Sequence, residues 1–458
     1  MDRYDEILSA LFVRFPSVSK AGFSADAYKP GLEHMYAFDA RLGHPSEALK
    51  TIHVAGTNGK GSVSSMLASV LAARGLRVGL FTSPHLLDFR ERIKIVEPDG
   101  FRMIAREDVL SFVDRWNAVF DELSLSFFEI TTGMAFDWFV REEVDIAVVE
   151  VGLGGRLDST NILVPELSLV TSIGLDHCAQ LGSTRAAIAG EKAGIFKAGV
   201  PALVGERDSE TAPVFESAAA SAPCPLFFAE DLVPLDDGPV TGRPAGICGA
   251  VEGCELWTAF PRRGKNLRSP KFTAFDRPPV QAMAMDLRGE YQWKNLRTVL
   301  AALDLLGIEP DWDALAHTAA RTGLRGRWET MQLKPLTVCD IGHNPPALRE
   351  NFAQLRAMMD SGRYDRLLIV YGIMADKALD DIIPLMPRDA EYYFVTPNTP
   401  RALPAAQIAA RFPKGADICG SVADGIRQAE KNATENSLIY IGGSTFVVSE
   451  AITYFETK

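Results

Sequence analysis

A glycine-rich turn constrains the fold of this chain more than any other stretch. Residues 51–62 read TIHVAGTNGKGS, in which a short apolar strand leads through three glycines into an apolar-periodic helix. Glycines let the backbone turn so that successive N–H groups point at one anion. The helix N-terminus adds a partial positive charge and Lys60 adds a full one. The turn therefore predicts a phosphate-binding loop, with Ser62 placed to hold a magnesium ion.

The turn departs from the common P-loop pattern in two places. Gly61 separates Lys60 from Ser62, and Val54 stands where the first glycine is expected. A glycine-rich turn between a strand and a helix, without a phosphate role, is the alternative at this point. We expect the turn to bind a nucleoside triphosphate. Its predicted contacts in this turn are Gly56, Thr57, Asn58, Gly59, Lys60, Gly61 and Ser62.

Length and composition indicate an ordinary globular protein with two or three domains. The chain has 458 residues, of which 47% are hydrophobic and 23% are charged. Its formal net charge of −12 argues against a nucleic-acid partner, which would need a basic face. The six cysteines show no metal-type spacing, so we expect reduced thiols and a cytoplasmic protein. We expect neither a signal peptide nor a membrane partner.

Apolar runs alternate with helical patterns in two regions of the chain. The first region has runs at 51–55, 78–82, 144–151, 167–173 and 200–204, and the second at 336–341, 366–373, 391–396 and 437–441. Such alternation predicts α/β domains in which helices cover a mostly parallel sheet. We expect a P-loop-containing domain over 1–325 with an irregular insertion at about 224–285. A linker over 326–335 would then lead to a smaller, Rossmann-like α/β domain over 336–458.

Polar residues follow the strands of the first region at their carboxyl ends, where open parallel sheets bind ligands. Ser83 follows the second run, Glu150 lies near the end of the third, and His177 follows the fourth. Magnesium prefers oxygen ligands, so Ser62, Ser83 and Glu150 predict a magnesium site, with His177 as a ligand of a second ion. Taken singly, Ser83 could cap a helix and His177 could be an ordinary hydrogen-bonded histidine. Glu150 is harder to dismiss, because a buried carboxylate is costly unless a cation meets it.

Several segments resemble the folylpolyglutamate synthase and dihydrofolate synthase family of the Mur ligase superfamily. These are GTNGKGS at 56–62, TSPHL at 82–86, EVGLGGRLDSTN at 150–161, IGLDH at 173–177 and EKAGIFK at 191–197. The motif DIGHNP at 340–345 departs from the family, which usually has glycine at the position of Ile341 and alanine at that of Gly342. Tyr291 stands where the family usually has histidine. The resemblance implies domains of the Mur ligase central and C-terminal types.

The resemblance also implies an activity. An ATP-dependent ligase of this family joins L-glutamate to the carboxylate of dihydropteroate or a reduced folate through an acyl phosphate. We therefore expect ATP and two Mg²⁺ ions as cofactors, those small molecules as partners, and a monomer. Lys192 matches a lysine that is carbamylated in the family and would add a metal ligand.

The roles that follow from the motifs and the resemblance can be given residue by residue. The expected catalytic residues are Lys60, Glu150, His177 and Lys192. The further nucleotide contacts are Asn295, Arg327, Asp340 and His343. The metal ligands are Ser62, Ser83, Glu150, His177 and the carbamate of Lys192. The pterin or folate contacts are Arg90, Phe128, Glu129 and Asp158.

Two other interpretations stay open. A Mur-type ligase that acts on a UDP-sugar acid would need a uridine-binding domain ahead of the turn, and only 50 residues precede Thr51. A nucleotide-binding module without ligase chemistry is the second, and the retention of Glu150, His177 and Lys192 argues against it. The sequence does not decide whether the first glutamate, later ones, or both are added.

Overall fold

The computed structural model of the chain describes residues 3–16, 22, 31–233, 285–377, 379–412 and 415–458. These residues fall into two units. The first contains the described residues up to 233, residues 285–286 and Trp293–Leu324, and the second contains Leu287–Gln292 and Arg325–Lys458. Each unit is built on a mostly parallel sheet, which confirms the predicted fold class. Most of the insertion expected at 224–285 lies outside the described residues.

The sheet of the first unit has eight strands within the part of the chain that is described. Their order is β4-β3-β2-β5-β1-β6-β7-β8. The strands are β1 Thr51–Ala55, β2 Val78–Phe81, β3 Ile93–Glu97, β4 Gly100–Met103, β5 Ile146–Glu150, β6 Leu167–Val170, β7 Ala202–Val204 and β8 Leu226–Phe228. All pairings are parallel except those of β3 with β2 and β4, which are antiparallel.

The centre of this sheet brings the predicted site residues to one edge. Strand β1 pairs with β5 on one side and β6 on the other, and Val54 lies opposite Glu150 in this register. All five residues of β1 and of β5 are buried, as expected for strands covered on both faces. The turn at 56–59, Glu150 and the segment after β6 therefore share the carboxyl edge of the sheet.

Helices cover both faces of the first sheet. They are α1 Arg3–Arg14, α2 Glu33–Leu42, α3 Pro45–Ala48, α4 Lys60–Ala73, α5 Arg106–Glu122, α6 Phe127–Arg141, α7 Cys178–Leu181, α8 Arg185–Ala193, α9 Ala212–Ser221, α10 Ala229–Leu232, α11 Gln292–Leu306, α12 Trp312–Ala316 and α13 Thr318–Thr322. Helix α4 follows the glycine-rich turn and is buried from Gly61 to Ala72, which is typical of a helix inside a core. The hydroxyl of Ser69 on α4 donates to the carbonyl of Ala314 on α12.

The second unit has a sheet of six strands in its described residues, in the order β13-β12-β11-β14-β10-β9. Its strands are β9 Glu329–Leu333, β10 Leu336–Asp340, β11 Leu367–Tyr371, β12 Glu391–Phe394, β13 Asp417–Ile418 and β14 Leu438–Gly442. Only the β9–β10 pairing is antiparallel. Its helices are α14 Pro345–Asp360, α15 Leu379–Ile382, α16 Ala405–Arg411, α17 Val422–Asn432 and α18 Thr445–Thr457.

The structure differs from the sequence expectations at three boundaries. The segment expected to be a linker contains strand β9, whose backbone pairs with that of β10. Strand β8 and helix α10 lie at the start of the segment expected to be irregular. Residues Leu287–Gln292 belong to the second unit, because the backbone N–H of Glu290 donates to the side-chain carbonyl of Gln354 at 2.8 Å.

None of the helices in the described ranges is both long enough and apolar enough to cross a membrane.

Candidate active site

The turn between β1 and α4 has a shape that only glycine fits at two positions. Gly56 and Gly59 have φ values of +147° and +87°, a conformation that residues with a side chain rarely adopt. A Cβ atom at Gly56 would lie 1.8 Å from the hydroxyl oxygen of Thr171. A Cβ atom at Gly59 would lie 2.3 Å from the side-chain oxygen of Asn295. The turn is therefore closely packed by the segment after β6 and by α11.

Hydroxyl groups after β6 fix the backbone of this turn. The hydroxyl of Thr171 donates to the carbonyl of Asn58 at 2.6 Å, and that of Ser172 donates to the same oxygen at 3.1 Å. The backbone N–H of Thr57 donates to the carbonyl of Ser172 at 2.7 Å. We did not single out Thr171 and Ser172 from the sequence. The sequence feature that could have identified them is a pair of successive hydroxyl residues at the carboxyl end of a strand that neighbours the phosphate loop.

Two lysines converge on one carbonyl oxygen of the turn. The ammonium groups of Lys60 and Lys192 donate to the carbonyl of Gly56 at 3.0 Å and 2.9 Å. Burial, followed by the charge of Lys60, lowers the pKa of Lys192 to about 7, although Asp176 and Asp158 oppose this shift. A large share of Lys192 is therefore neutral near pH 7. A neutral amine is the form that can react with CO₂ to give a carbamate.

The predicted metal ligands supply oxygen atoms near the turn. Glu150 is 4% exposed, and one oxygen of its carboxylate accepts a long hydrogen bond of 3.4 Å from the backbone N–H of Ser83. Ser62 lies in the first turn of α4 and is 2% exposed. In the described part of the chain, no three His, Cys, Asp or Glu side chains are grouped to hold a metal ion. The donor set of hydroxyl and carboxylate oxygens fits a magnesium ion that also binds phosphate and water.

His177 lies directly before α7 in a left-handed conformation, with φ of +52°. Its backbone N–H donates to the carboxylate of Asp176 at 2.9 Å, and its Nε2 atom lies 3.9 Å from the other oxygen of that carboxylate. The side chain is one-third exposed. His177 and Asp176 therefore form a local pair that follows the central strand β6.

A buried arginine lies near Glu150. The Nε–H of Arg92 donates to Nδ1 of His85 at 2.8 Å, and its guanidinium lies 5.5 Å from the ring centre of Phe127. Burial lowers the pKa of Arg92 to about 10, although the charge of Glu150 raises it. The resemblance implies a substrate contact for Arg90, which stays a prediction, whereas Arg92 is a buried cation of the same segment that was not singled out from the sequence. The sequence feature that could have identified Arg92 is its position directly before β3, where side chains alternate between the two faces of the sheet.

Arg90 and Glu129, both expected to contact substrate, have partners close in sequence. Arg90 binds the carboxylate of Asp88 at 2.7 Å, and this hydrogen bond raises the pKa of Arg90. Glu129 is 2% exposed and lies in the first turn of helix α6, where it forms a capping box with Ser126. Its carboxylate accepts from the backbone N–H of Ser126 at 2.7 Å. The capping box gives this buried carboxylate a hydrogen-bond partner, and its contact with substrate stays a prediction.

The other two expected substrate contacts lie against the loop at 152–158. The ring of Phe128 packs on Gly152, where a Cβ atom would lie 2.5 Å from the ring. The carboxylate of Asp158 accepts from the backbone N–H of Leu153 at 2.8 Å and from the hydroxyl of Thr160 at 2.5 Å. This loop leads from Glu150 to the 3₁₀ turn Ser159–Ile162.

In the second unit, Asp340 is buried at the end of β10 and accepts four hydrogen bonds. The donors are the hydroxyl of Tyr291 at 2.6 Å, the backbone N–H of Trp328 at 2.9 Å, the backbone N–H of Gly342 at 2.7 Å and the side-chain amide of Asn351 at 2.7 Å. Burial, together with the charge of Asp340, raises the pKa of Tyr291 well above its usual value. Tyr291 replaces the histidine expected there and supplies a donor to Asp340.

Arg327 and His343 flank this carboxylate in the sequence. Arg327 donates to the carbonyl of Arg325 at 3.0 Å. The Nδ1 atom of His343 lies 3.0 Å from the carbonyl oxygen of Ile341. The structure thus places Arg327, Asp340 and His343 in the second unit, whereas Asn295 belongs to the first.

Comparison with known proteins agrees with this geometry. The family model described as "Mur ligase, glutamate ligase domain" matches residues 326–445. The dihydrofolate synthase/folylpolyglutamate synthase of Escherichia coli is 30% identical over 429 residues, which cover 93% of this chain and 92% of that protein. A probable bifunctional folylpolyglutamate synthase/dihydropteroate synthase of Haloferax volcanii is also 30% identical, over 93% of this chain. The chain spans only about half of that relative's length, 48%.

Solved structures are similar over the whole chain. E. coli FolC in complex with DHPP and ADP has a TM-score of 0.80 and 26% identity, and the match covers 100% of this chain and 98% of that one. A bifunctional folylpolyglutamate synthase/dihydrofolate synthase with Mn, AMPPNP and L-glutamate bound has a TM-score of 0.79 and 26% identity, with the same coverage. The chain therefore belongs to the folylpolyglutamate synthase/dihydrofolate synthase family of Mur ligases.

Proposed function

We propose that this chain is an ATP-dependent ligase that joins L-glutamate to the carboxylate of dihydropteroate, of a reduced folate, or of both. The observation that carries the proposal is the convergence of Lys60 and Lys192 on the carbonyl of Gly56, in a turn adjacent to the strand that ends in Glu150. The relatives solved with ADP, AMPPNP, Mn and L-glutamate support ATP and a divalent cation as the cofactors here.

The phosphate groups of ATP would bind to the turn at residues 56–62. Its backbone N–H groups, the N-terminus of α4 and the charge of Lys60 all favour an anion there. Asn295 packs against Gly59 and would reach the nucleotide from α11. Arg327 and His343 are further proposed nucleotide contacts. Asp340 would orient the backbone of Gly342, since its carboxylate already accepts four hydrogen bonds.

Ser62, Ser83 and Glu150 would hold one magnesium ion, and His177 with a carbamate on Lys192 would hold a second. When bound, magnesium neutralises the negative charge that gathers on the transferring phosphoryl group. The low pKa of Lys192 supports the carbamate, since it keeps part of the amine neutral near pH 7.

The chemistry has two steps. The acceptor carboxylate bonds to the γ-phosphorus while the bond from that phosphorus to the β–γ bridging oxygen breaks, and ADP leaves. The amine of L-glutamate then attacks the acyl carbon and loses a proton, and phosphate leaves with one oxygen of the original carboxylate. Lys60 stabilises the charge on the phosphoryl oxygens, so catalysis consists mainly of positioning and electrostatics.

The test is an assay of ADP release with ATP, Mg²⁺ and L-glutamate, run separately with dihydropteroate and with tetrahydrofolate. We expect ADP release that requires the acceptor, and an amide product detected by mass spectrometry. The acceptor that supports turnover shows whether the first glutamate or later ones are added. Absence of acceptor-dependent ADP with both compounds contradicts the proposal.

The variant Lys192→Ala distinguishes a ligase from a nucleotide-binding module. In a ligase, ADP affinity stays within a few-fold of the wild type while turnover falls by about 10²–10³-fold, the usual effect of losing one electrostatic group of an active site. A protein that only binds nucleotide has no turnover to lose.

We also propose that the protein acts as a monomer in the cytoplasm. Light scattering in solution should give the mass of one chain, 49.9 kDa. A stable dimer at micromolar concentration contradicts the monomer.

A further inference from the structure

A buried histidine in the strand that leads to the phosphate loop contacts the loop after β5. His53 lies in β1 and is fully buried. Its Nε2 atom lies 2.8 Å from the hydroxyl oxygen of Thr160, in the 3₁₀ turn Ser159–Ile162. The same hydroxyl lies 2.5 Å from a carboxylate oxygen of Asp158. Strand β1 and the loop at 152–158 are thus joined by a row of three buried polar side chains.

The direction of the protons along this row follows from the chemistry of the three groups. Burial raises the pKa of Asp158, and the hydrogen bonds from Thr160 and Leu153 oppose this shift by favouring the ionised form. An ionised carboxylate only accepts hydrogen bonds, so the single hydroxyl proton of Thr160 points at Asp158. The hydroxyl oxygen must then accept from His53, which places a proton on Nε2. Among the described residues, Nδ1 of His53 has no hydrogen-bond partner. Burial and the charge of Lys197 lower the pKa of His53 to about 3, so the ring stays neutral in this single tautomer.

The carboxylate at the end of the row is bound by donors from neighbouring residues of the chain. Asp158 accepts from the hydroxyl and backbone N–H of Thr160 and from the backbone N–H of Leu153. Two carboxylate oxygens offer about four acceptor positions. Three of these positions are taken by donors within the segment 153–160, so Asp158 holds the shape of its loop.

That loop packs between two groups of the proposed active site. At one end, Gly152 lies against the ring of Phe128, where a Cβ atom would be 2.5 Å away. In the middle, a Cβ atom at Gly155 would lie 2.9 Å from the backbone oxygen of Lys192. The backbone N–H of Arg156 donates to the carbonyl of Glu191 at 2.8 Å. A shift of the loop would therefore move the surroundings of both Phe128 and Lys192.

We propose that His53 and Thr160 are positioning residues for the ligase reaction, which hold Asp158 and so fix the loop at 152–158 in the shape that accepts the pterin or folate. This inference rests on the proposed function for its substrate. The clamp (His53, Thr160 and Asp158) joins this loop to β1, the strand that also carries the phosphate turn. It thereby fixes the position of the acceptor site relative to the phosphate groups of the bound nucleotide.

The first test compares Thr160→Val with Thr160→Ser. Valine keeps the shape of the side chain but removes the hydroxyl, so His53 and Asp158 each lose a partner. We expect the KM for the acceptor to rise by about tenfold, because the loop loses its link to β1, while the KM for ATP stays within about twofold. Thr160→Ser keeps the hydroxyl and should restore the acceptor KM. An unchanged acceptor KM in Thr160→Val, or an equal rise in both KM values, overturns the proposal.

Two further variants and a control separate positioning from general destabilisation. His53→Gln keeps an N–H donor and should bind the acceptor better than His53→Leu, which has none. Thr318→Val removes a buried hydroxyl whose hydrogen bonds, among the described residues, go to carbonyls of its own helical region, and it should leave both KM values unchanged. Equal acceptor KM values in His53→Gln and His53→Leu contradict the clamp.

A measurement on the wild type is independent of activity and of variant folding. With ¹⁵N-labelled histidine, NMR can assign the ring of His53 among the seven histidines of the chain. We expect the proton on Nε2 and no titration between pH 5 and pH 8. A proton on Nδ1 overturns the clamp. If the wild type lacks ligase activity, the proposed function fails, and the NMR result still decides whether the clamp exists.

Discussion

Replacement of Gly59 by alanine tests whether Asn295 packs directly on the phosphate loop. Two glycines flank helix α4 with nearly the same left-handed conformation, Gly59 with φ of +87° and Gly75 with φ of +90°. A Cβ atom at Gly75 meets nothing within 4 Å, whereas one at Gly59 lies 2.3 Å from the side-chain oxygen of Asn295. Gly75→Ala is therefore a matched control that carries the backbone strain without the clash.

The expected magnitudes follow from these two differences. Alanine in the left-handed region destabilises the folded state by about 1–2 kcal/mol. Its lower conformational entropy in the unfolded chain offsets about 0.4–1 kcal/mol of this cost. Gly75→Ala should therefore destabilise the protein by about 1 kcal/mol. Gly59→Ala must also displace the buried amide of Asn295, which adds about 1–3 kcal/mol. We expect a total of about 2–4 kcal/mol for Gly59→Ala.

Urea unfolding without ligand measures both variants, and calorimetric titration measures their affinity for ADP. Gly59→Ala should be the less stable variant and should bind ADP more weakly, whereas Gly75→Ala should bind ADP like the wild type. In an Asn295→Ala background, the cost of Gly59→Ala should fall to that of Gly75→Ala, because the clash is gone. Equal costs for the two glycine variants in the wild-type background would refute the contact.

Three further predictions concern single side chains. Unfolded Lys192 binds a proton that the folded form has lost above about pH 7, so wild-type stability should rise between pH 7 and pH 10 relative to Lys192→Met. A pH-independent difference in urea unfolding contradicts this. Tyr291→Phe leaves an oxygen of Asp340 without its hydroxyl donor and should destabilise the protein by about 1–3 kcal/mol in the same assay. A Tyr291→Phe variant as stable as the wild type would contradict this prediction. Arg92→Lys should lower kcat/KM for the acceptor by about tenfold, and Arg90→Lys, whose guanidinium is bound to Asp88, should not. Equal losses of kcat/KM in the two variants would contradict a role for Arg92 in acceptor binding.

Much of the fold could be predicted from the sequence because buried parallel strands are apolar runs separated by helical patterns. The glycine-rich turn located β1 and α4, and the runs at 144–151 and 336–341 located β5 and β10. The hairpin of β3 and β4 was not predicted, since Lys94 and Arg102 interrupt the apolar pattern of a half-covered edge. Helix α18 was also missed, because its sequence, TFVVSEAITYFET, is rich in β-branched and aromatic residues.

The site could be predicted in part for a different reason. Residues that follow neighbouring strands share a sheet edge, so the places of Glu150 and Ser83 could be inferred from order alone. Contacts over long sequence separations could not. The packing of Asn295 on Gly59 joins residues far apart in the chain, and the resemblance to a family suggested only that Asn295 contacts the nucleotide. Glu129 takes part in a local helix cap, a contact between residues three apart, and its contact with substrate stays a prediction.

The proposed function requires that the chain forms an amide through an acyl phosphate. An acceptor whose carboxylate carries ¹⁸O tests this directly, because one oxygen of that carboxylate must leave with the phosphate. Incubation with ATP, Mg²⁺ and L-glutamate should give inorganic phosphate with one ¹⁸O atom for each amide formed, as measured by mass spectrometry. Phosphate without ¹⁸O, released together with ADP, would contradict the account.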